Sequence, residues 1–367
     1  MTEWKTYKLG DIAKFQTGKL NSNAAVENGK YPFFTCSPNT LAIDNYAFDK
    51  EAILLAGNNA EGNFSIKYYK GKFNAYQRTY IIETYNDICD IKFLFYALKL
   101  CLQQFKLMSQ GTSTKFLTAV ILNNFEISLP GLEVQRRIAG ILGAIDDKIE
   151  NNRRINDNLE QQAQTLFDEW FVNDSTQPAE YNRASLTDIA NYLNGLAMQR
   201  FRPQSDEKAI PVLKIKELGQ GMCDSSSDIC SQSIDSKYIV NDGDIIFSWS
   251  GTLLVDIWCG GVCGLNQHLF KVTSDKYPKW FVYYWTKYHL AKFIRIAKDK
   301  AVTMGHIKRG DLETSQVLIP NAEILSKMDN IIEPIFDAII SRRVENKTLA
   351  SLRDTLLPKL MNGETKM

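Results

Sequence analysis

Leu9-Gly10-Asp11-Ile12-Ala13, with Gly18 shortly after it, returns 177 residues later as Leu186-Thr187-Asp188-Ile189-Ala190 with Gly195. Tyr31-Pro32-Phe33 returns as Ile210-Pro211-Val212 at an offset of 179, and from Gln77, which matches Gln267, the offset is 190 and holds to the C-terminus. Leu129-Pro130 thus becomes Ile319-Pro320. Asp147, Ile149, Asn156, Leu159 and Leu166 become Asp337, Ile339, Asn346, Leu349 and Leu356. The chain is two copies of one unit. The second copy carries about a dozen extra residues between its glycine and its glutamine, as insertion in a surface loop produces. Each copy, at about 180 residues, is long enough to fold around its own core. Two copies fall short of the ~3 that a solenoid needs.

After Pro130-Gly131 the pattern becomes helical. Ile138, Leu142, Ile145, Ile149, Asn152, Asn156, Leu159, Ala163, Leu166 and Trp170 alternate by four and three residues, a heptad seam. Only the tolerable Gly140 and Gly143 interrupt good helix formers between Leu132 and Phe171, so one helix of ~60 Å is expected. The second copy repeats the seam as Met328, Ile332, Ile335, Ile339, Arg342, Asn346, Leu349, Arg353, Leu356 and Leu360. Pro334 should kink this helix or delay its start, and Pro358 should mark its end.

A narrow apolar seam on each of two equal helices means that they pack on each other. Asn156 and Asn346 hold equivalent seam positions, where a buried Asn fixes register at a cost in stability. Both are expected at or near the helix–helix contact. A twofold-like arrangement within one chain sets equivalent helices antiparallel, with the globular parts at opposite ends of a rod. Parallel packing, with both at one end, stays open.

Residues 1–130 and 183–320 read as mixed α/β. Ile53–Gly57 and Asp244–Ser248 have the apolar runs of buried strands, whereas Lys92–Lys99 and Trp280–Trp285 suggest aromatic-rich helices. The polar, proline-bearing stretch 173–182 serves as linker. The expected class is therefore α+β: two globular α/β domains and two long helices in an antiparallel intramolecular coiled coil, related by a pseudo-twofold repeat. The boundaries are 1–130, a helix over 131–172, the linker, 183–320, and a helix over 321–361.

Apolar residues at 44% and charged residues at 23% fit a globular protein with real cores. No stretch approaches the ~18 apolar residues of a membrane span, and Met1-Thr2-Glu3-Trp4-Lys5 lacks the apolar run of a signal peptide. Seven scattered cysteines suit a reducing cytoplasm, the expected location. A net charge of +1 means that any nucleic-acid surface must be built by segregating the 43 basic residues.

Such segregation is visible. Residues 91–125 contain no acid but hold Lys92, Lys99, Lys106 and Lys115. The matching stretch 287–309 holds Lys287, Lys292, Arg295, Lys298, Lys300, Lys308 and Arg309 against Asp299 alone. Bases and aromatics mix in Lys67, Tyr68, Tyr69, Lys70, Lys72, Phe73, Tyr76, Gln77 and Arg78, while Gln199-Arg200-Phe201-Arg202 leads towards Lys214 and Lys216. Lysines supply phosphate affinity; Arg, Gln and Asn can read base edges. A single charged run is usually just a solvated face, but clusters recurring regionally in both copies favour nucleic acid.

Catalytic motifs are missing. Thr17-Gly18-Lys19 lacks the upstream glycine and following Ser/Thr of a P-loop, and Gly260-Gly261-Val262-Cys263-Gly264 has turn spacing rather than that of a dinucleotide fingerprint. No Asn/Asp-Pro-Pro-aromatic run offers a site for the methyl donor of an adenine methyltransferase. Cys259, Cys263 and His268 lack zinc spacing and a fourth ligand, so buried thiols are expected. None of the three histidines, His268, His289 and His306, adjoins a nucleophile motif.

Several segments nevertheless carry a family resemblance. They are Gly111-Thr112-Ser113-Thr114-Lys115, the run Asn124–Ala139 through Leu129-Pro130-Gly131-Leu132-Glu133-Val134-Gln135-Arg136, Asp146–Asn152, Asn241–Ser248, and the ending Leu356–Gly363. With the repeat, they make the whole chain resemble the specificity subunits of type I restriction–modification systems. Val134-Gln135-Arg136 departs from that family's more acidic, glutamine-rich helix start, and Asn321-Ala322-Glu323-Ile324 departs further.

The resemblance implies two target-recognition domains, residues 1–130 and 183–320, each reading half of an asymmetric bipartite site on double-stranded DNA. The helices would dock two modification (methyltransferase) subunits that methylate adenine N6, joined in some systems by two restriction subunits. This chain would bind no cofactor or metal itself; S-adenosylmethionine, Mg and ATP would belong to the partners. The DNA-binding candidates are Lys67, Lys70, Lys72, Tyr76, Gln77, Arg78, Thr112, Ser113 and Lys115 in the first copy. In the second they are Arg200, Arg202, Lys214, Gln267, His268, Lys298, Lys300, His306, Lys308 and Arg309. A recognition module for another methyltransferase or nuclease, and a coiled-coil scaffold that binds protein, are the alternatives.

Overall fold

A computed structural model describes residues 4–85, 87–173, 181–299 and 306–364. Lys300 and residues 174–180 of the expected linker lie outside the described residues. The chain forms two compact units, one from the chain up to Asp147 with the segment from Ser351 onwards, the other from Lys148–Ala350.

In the first unit a six-stranded sheet runs in the order Ala13–Thr17, Thr79–Thr84, Phe48–Ala56, Ile66–Ala75, Tyr31–Phe34, Leu41–Ile43. Neighbours are antiparallel except Tyr31–Phe34 and Ile66–Ala75, which run parallel with Phe33 opposite Asn74. The central strand is buried over Ala52–Ala56 because both faces are covered. Its alternation sends Ile53 and Leu55 into a core with Phe93, Leu94 and Leu98 of the helix Ile91–Leu100. Ala52 and Leu54 face the other way, onto Phe34, Phe73 and Ile81.

The second unit repeats this plan with one break. Asn191–Asn194, Leu269–Thr273, Ile245–Ser248 and Leu254–Ile257 form one sheet; Ile229–Ser231, Ala209–Leu213, Cys263–Leu265 and Ile239–Val240 form another. The continuous strand Ile66–Ala75 therefore has two counterparts, Leu254–Ile257 and Cys263–Leu265. Between them buried Trp258 turns inward and donates Nε1–H to the Gly261 carbonyl at 2.6 Å. Gly261, at φ +93°, supplies the left-handed conformation that this turn requires.

Each unit also contains parts of both long helices, Leu132–Phe171 and Ala322–Met361. In the first unit Ile138 and Leu142 share a core with Leu357 and Leu360, and Asp146 accepts from Arg353 Nη1 at 2.7 Å and from Tyr96 Oη at 2.6 Å. In the second unit Asn152 meets Asn346, Asn156 Nδ2 donates to Ile339 O at 3.2 Å, and Glu160 binds Arg343. Rising numbers on one helix meet falling numbers on the other, so the pairing is antiparallel.

The second helix contradicts the late start and the stop expected at its prolines. It neither starts late at Pro334 nor stops at Pro358, but runs unbroken over Ala322–Met361. Pro334 is exposed, so the carbonyl its ring leaves without a donor, that of Asn330, is on the solvent side. Buried Ile332 and Phe336 on either side hold the turn in place. Leu357 and Leu360 do the same around Pro358.

The seam changes phase near its end. Ala163, Phe167 and Phe171 are the buried positions, whereas Leu166 and Trp170 are only partly covered. There the helix packs on the aromatic helix Lys279–Tyr288, with Phe167 stacked 5.6 Å from Tyr284. Ile145, Leu159, Ile335, Leu349 and Leu356 are half-buried, and Ile149, Ile332 and Ile339 are buried.

Candidate nucleic-acid interface

The repeat extends to individual hydrogen bonds. In the first unit Gly57 N donates to Arg78 O at 2.8 Å, and Leu117 N donates to Gly57 O at 2.9 Å. In the second, Trp249 N donates to His268 O at 3.4 Å, and Ile307 N donates to Trp249 O at 3.0 Å. The loop after the central strand thus ties together the Gln77-Arg78 turn and the Phe116 segment, as its counterpart ties Gln267-His268 to His306.

Two glycines hold these turns close to the sheet. Gly18 packs on the Ala75 carbonyl and Gly195 on the carbonyls of Leu265 and Asn266, leaving no room for a Cβ at either position. The adjoining residues pair as isolated bridges, Leu20 with Tyr76 and Leu196 with Asn266. Sequence alone had marked both glycines as repeat positions; their task is close backbone approach beside each candidate turn.

On the first frame Gln77 and Arg78 are exposed. Gln77 Nε2 donates to Asn21 Oδ1 at 2.8 Å, and the Arg78 guanidinium lies 5.2 Å from the Phe116 ring centre. Thr112 and Ser113 sit at the exposed tip of a loop closed by Gln110 and Phe116, turned at Gly111 with φ +108°. Lys115 pairs with Asn59, and Lys106 donates to Asn63 Oδ1 at 2.8 Å. Asn59 and Asn63 are additions that only the folded loop reveals, and they bring Lys106 of the acid-free run into the candidate set.

The other first-copy candidates are more occupied. Half-buried Lys67 donates to Ser37 O at 3.0 Å, and burial lowers its pKa. Lys70 is paired with Glu51 at 3.3 Å, Lys72 lies over the Tyr46 ring at 4.7 Å, and Tyr76 is half-buried with its N–H bonded to Phe34 O. The acid-free run 91–125 also divides. Lys92 lies against Gly143 and Lys99 is half-buried, its pKa lowered by burial and then by Arg353; both face the long helices rather than the loops.

On the second frame, Trp249 brings the candidates together, with its ring 6.0 Å from that of His268 and 6.2 Å from that of His306. Ser250 Oγ lies 3.3 Å from His268 Nδ1, and Gln267 Nε2 lies 3.3 Å from His268 Nε2. Beside them opens a cleft of ≈ 930 Å³, whose walls include Arg202, Lys214, Gln267 and His268. Three stretches far apart in sequence thus share one hollow. Arg200 is exposed but does not line it.

Lys214 is ion-paired with Asp228, and Arg309 with Glu313 at 3.7 Å. Lys298 and Lys308 are exposed, with no ion pair among the described residues. Among these residues no group of three or more His, Cys, Asp or Glu is placed to hold a metal, and no helix is long and apolar enough to cross a membrane. Cys259 and Cys263 are buried thiols.

Residues 1–161 and 178–351 match the family model described as type I restriction modification DNA specificity domain. Over its full length the chain is 26% identical to the type I restriction enzyme MjaIX specificity subunit of Methanocaldococcus jannaschii, covering 94% of that protein. Over 45% of its length it is 39% identical to the EcoDI specificity subunit of Escherichia coli, covering 35% of that protein. The crystal structure of a type I restriction–modification S subunit from M. genitalium has the same fold. It superposes with a TM-score of 0.65 at 16% identity, covering 98% of this chain and 96% of that one.

Proposed function

Since the chain belongs to the type I restriction–modification DNA specificity family, we propose that it reads an asymmetric, bipartite DNA target and docks two adenine-N6 methyltransferase subunits. Residues 1–130 and 183–320 are the two readers. The helices over 131–172 and 321–361 are the docking surfaces for the methyltransferase subunits, which restriction subunits join in some systems. The chain itself is non-catalytic. Methyl donor, Mg and ATP belong to its partners.

The observation that carries this reading is the duplicated hydrogen-bonded frame, on which a glutamine recurs and its neighbouring side chains differ. One frame presents Gln77, Arg78 and Phe116; the other presents Gln267, His268 and His306. A conserved-geometry support with changed contact groups suits two readers of different base sequences, and two different readers in one chain make the target asymmetric. A fixed helix between readers would set the half-site spacing, as fixed dimer geometry does in other DNA-binding proteins.

Single-molecule methylation sequencing of cells with and without the gene tests the proposal. Methylated adenines in one two-part, non-palindromic motif should disappear with the gene. An unchanged methylome in cells shown to contain the active methyltransferase would reject the function. A continuous motif would reject the two-reader arrangement.

A further inference from the structure

The cleft beside Gln267 and His268 has cationic walls, to which Arg202, Lys214 and Lys216 contribute. Among the described residues Asp228 is the single carboxylate lining it. A carboxylate on a DNA-binding face opposes phosphate attraction, so its presence asks for a compensating role. We propose that Asp228 is a specificity-determining residue of the second reader, accepting a hydrogen bond from the exocyclic amino group of a cytosine in that half-site. This rests on the DNA-reading function proposed above.

The placement of Asp228 supports the assignment. Its backbone carbonyl accepts from Val212 N at 2.7 Å, anchoring it to the strand Ala209–Leu213. The preceding residue is tied down too: Ser227 Oγ donates at 3.1 Å to buried Glu217, whose other oxygen accepts from Lys214 N at 3.2 Å. Lys214 Nζ donates to Asp228 Oδ2 and orients the carboxylate, whose side chain remains 65% exposed. Oδ1 has no hydrogen-bond partner among the described residues. Lys214 also holds this carboxyl below the usual carboxylate range, with a smaller contribution from Arg202, so it meets DNA as an acceptor only.

Acceptor-only chemistry selects the base. In the major groove guanine and thymine offer acceptors that repel a carboxylate, and adenine sets acceptor N7 beside its amino group. Cytosine presents its N4 amino group with no neighbouring acceptor on the same edge. Asp228 therefore favours one C·G pair and disfavours the others.

The test uses the chain assembled with its methyltransferase, comparing wild type with Asp228→Asn, Asp228→Ala and, as control, Asp224→Asn. Asp224 lies on the same loop but outside the cleft lining. Methylation sequencing and duplex binding at several salt concentrations are the readouts. Both Asp228 variants should relax one cytosine position in one half-site, with discrimination there falling roughly tenfold or more. Asp228→Ala should also bind random duplex more tightly. The Asp224 control should leave the motif unchanged. Wild-type discrimination in either Asp228 variant, or relaxation at a position that is not C·G, overturns the assignment. If the wild-type assembly itself binds no duplex selectively, the functional reading fails, and this inference falls with it.

Discussion

Asn152 Nδ2 lies 2.9 Å from Asn346 Oδ1 across the antiparallel helix pair, and Asn346 Nδ2 in turn donates to the Ile149 carbonyl at 3.3 Å. Asn152 is fully buried, and Asn156 repeats the pattern one turn further by donating to Ile339 O. The Oδ1 atoms of Asn152 and Asn156 have no partner among the described residues, so register is held at a cost. Replacing Asn346 by Ala strips Asn152 of an acceptor and should cost about 1–3 kcal/mol. Replacing Asn152 and Asn346 together by Leu should be neutral or stabilising, because apolar pairs fill such sites well. Urea denaturation midpoints compare the two; a double variant weaker than the single one would refute the register argument.

Arg343 binds Glu160 at 2.7 Å, Asp256 at 2.8 Å and the Ile257 carbonyl at 3.1 Å, joining both helices to the strand Leu254–Ile257. Arg343→Met leaves the half-buried Glu160 and Asp256 without their shared cation and should cost about 1–3 kcal/mol. Lysine restores charge but not the fork, so Arg343→Lys should recover only part of the loss. Thermal melting of the two variants measures the split.

Gly18→Ala and Gly195→Ala each place a Cβ against a backbone carbonyl that cannot retreat. Overpacking of this kind costs about 1–3 kcal/mol. On the proposed function, each also displaces only its own reading turn. Gly18→Ala should degrade recognition of one half-site and Gly195→Ala that of the other, as duplexes altered in one half at a time would report. Equal loss at both halves from either variant would contradict this division.

Lys298 and Lys308 are exposed and have no ion pair among the described residues, while Arg309 already has Glu313. Reversing Lys298 and Lys308 to Glu should weaken duplex binding and flatten its dependence on salt, each lost phosphate contact lowering the slope by ~0.9. Arg309→Gln should have the smaller effect. Affinities at three or four salt concentrations decide whether the two lysines touch phosphate.

His289 Nε2 lies 2.8 Å from the Gln316 carbonyl, which can only accept, so this nitrogen carries the proton of a neutral ring. Burial lowers its pKa below the ordinary 6.5. As pH falls through that value the unfolded chain takes up the proton before the folded one. The stabilisation is therefore complete above 6.5 and lost as pH drops towards the lower, folded value. Wild type should lose more stability between about pH 7.5 and about pH 5.5 than His289→Phe, compared by urea midpoints. Parallel curves would show that His289 does not titrate on unfolding.

The duplication and the two helices were legible because a heptad seam is a local pattern and a repeat is visible without a fold. What misled was balance. Pro334 and Pro358 oppose a helix by a known amount, but the burial of Ile332, Phe336, Leu357 and Leu360 that overrides them depends on tertiary partners. Leu166 and Trp170 fit the heptad phase, yet Phe167 and Phe171 are the buried pair, since the helix there also packs on an aromatic helix. Charge runs announced a basic protein surface but not its direction. Lys92 and Lys106 come from one acid-free stretch and face different elements. Likewise the cleft unites Arg202, Lys214 and Gln267 through strand pairings that no local window contains.

The first compact unit is discontinuous in the chain, because Leu357 and Leu360 close a core that Leu9, Ile12 and Ile138 begin. During synthesis this core has to wait. About 200 residues separate its two parts, so at ~5–20 residues per second the nascent domain stands open for roughly 10–40 s. Meanwhile the second unit, continuous in sequence, can be translated and folded whole. The half of the protein made first is therefore the half completed last, and its uncapped apolar face is where a ribosome-associated chaperone has most to protect.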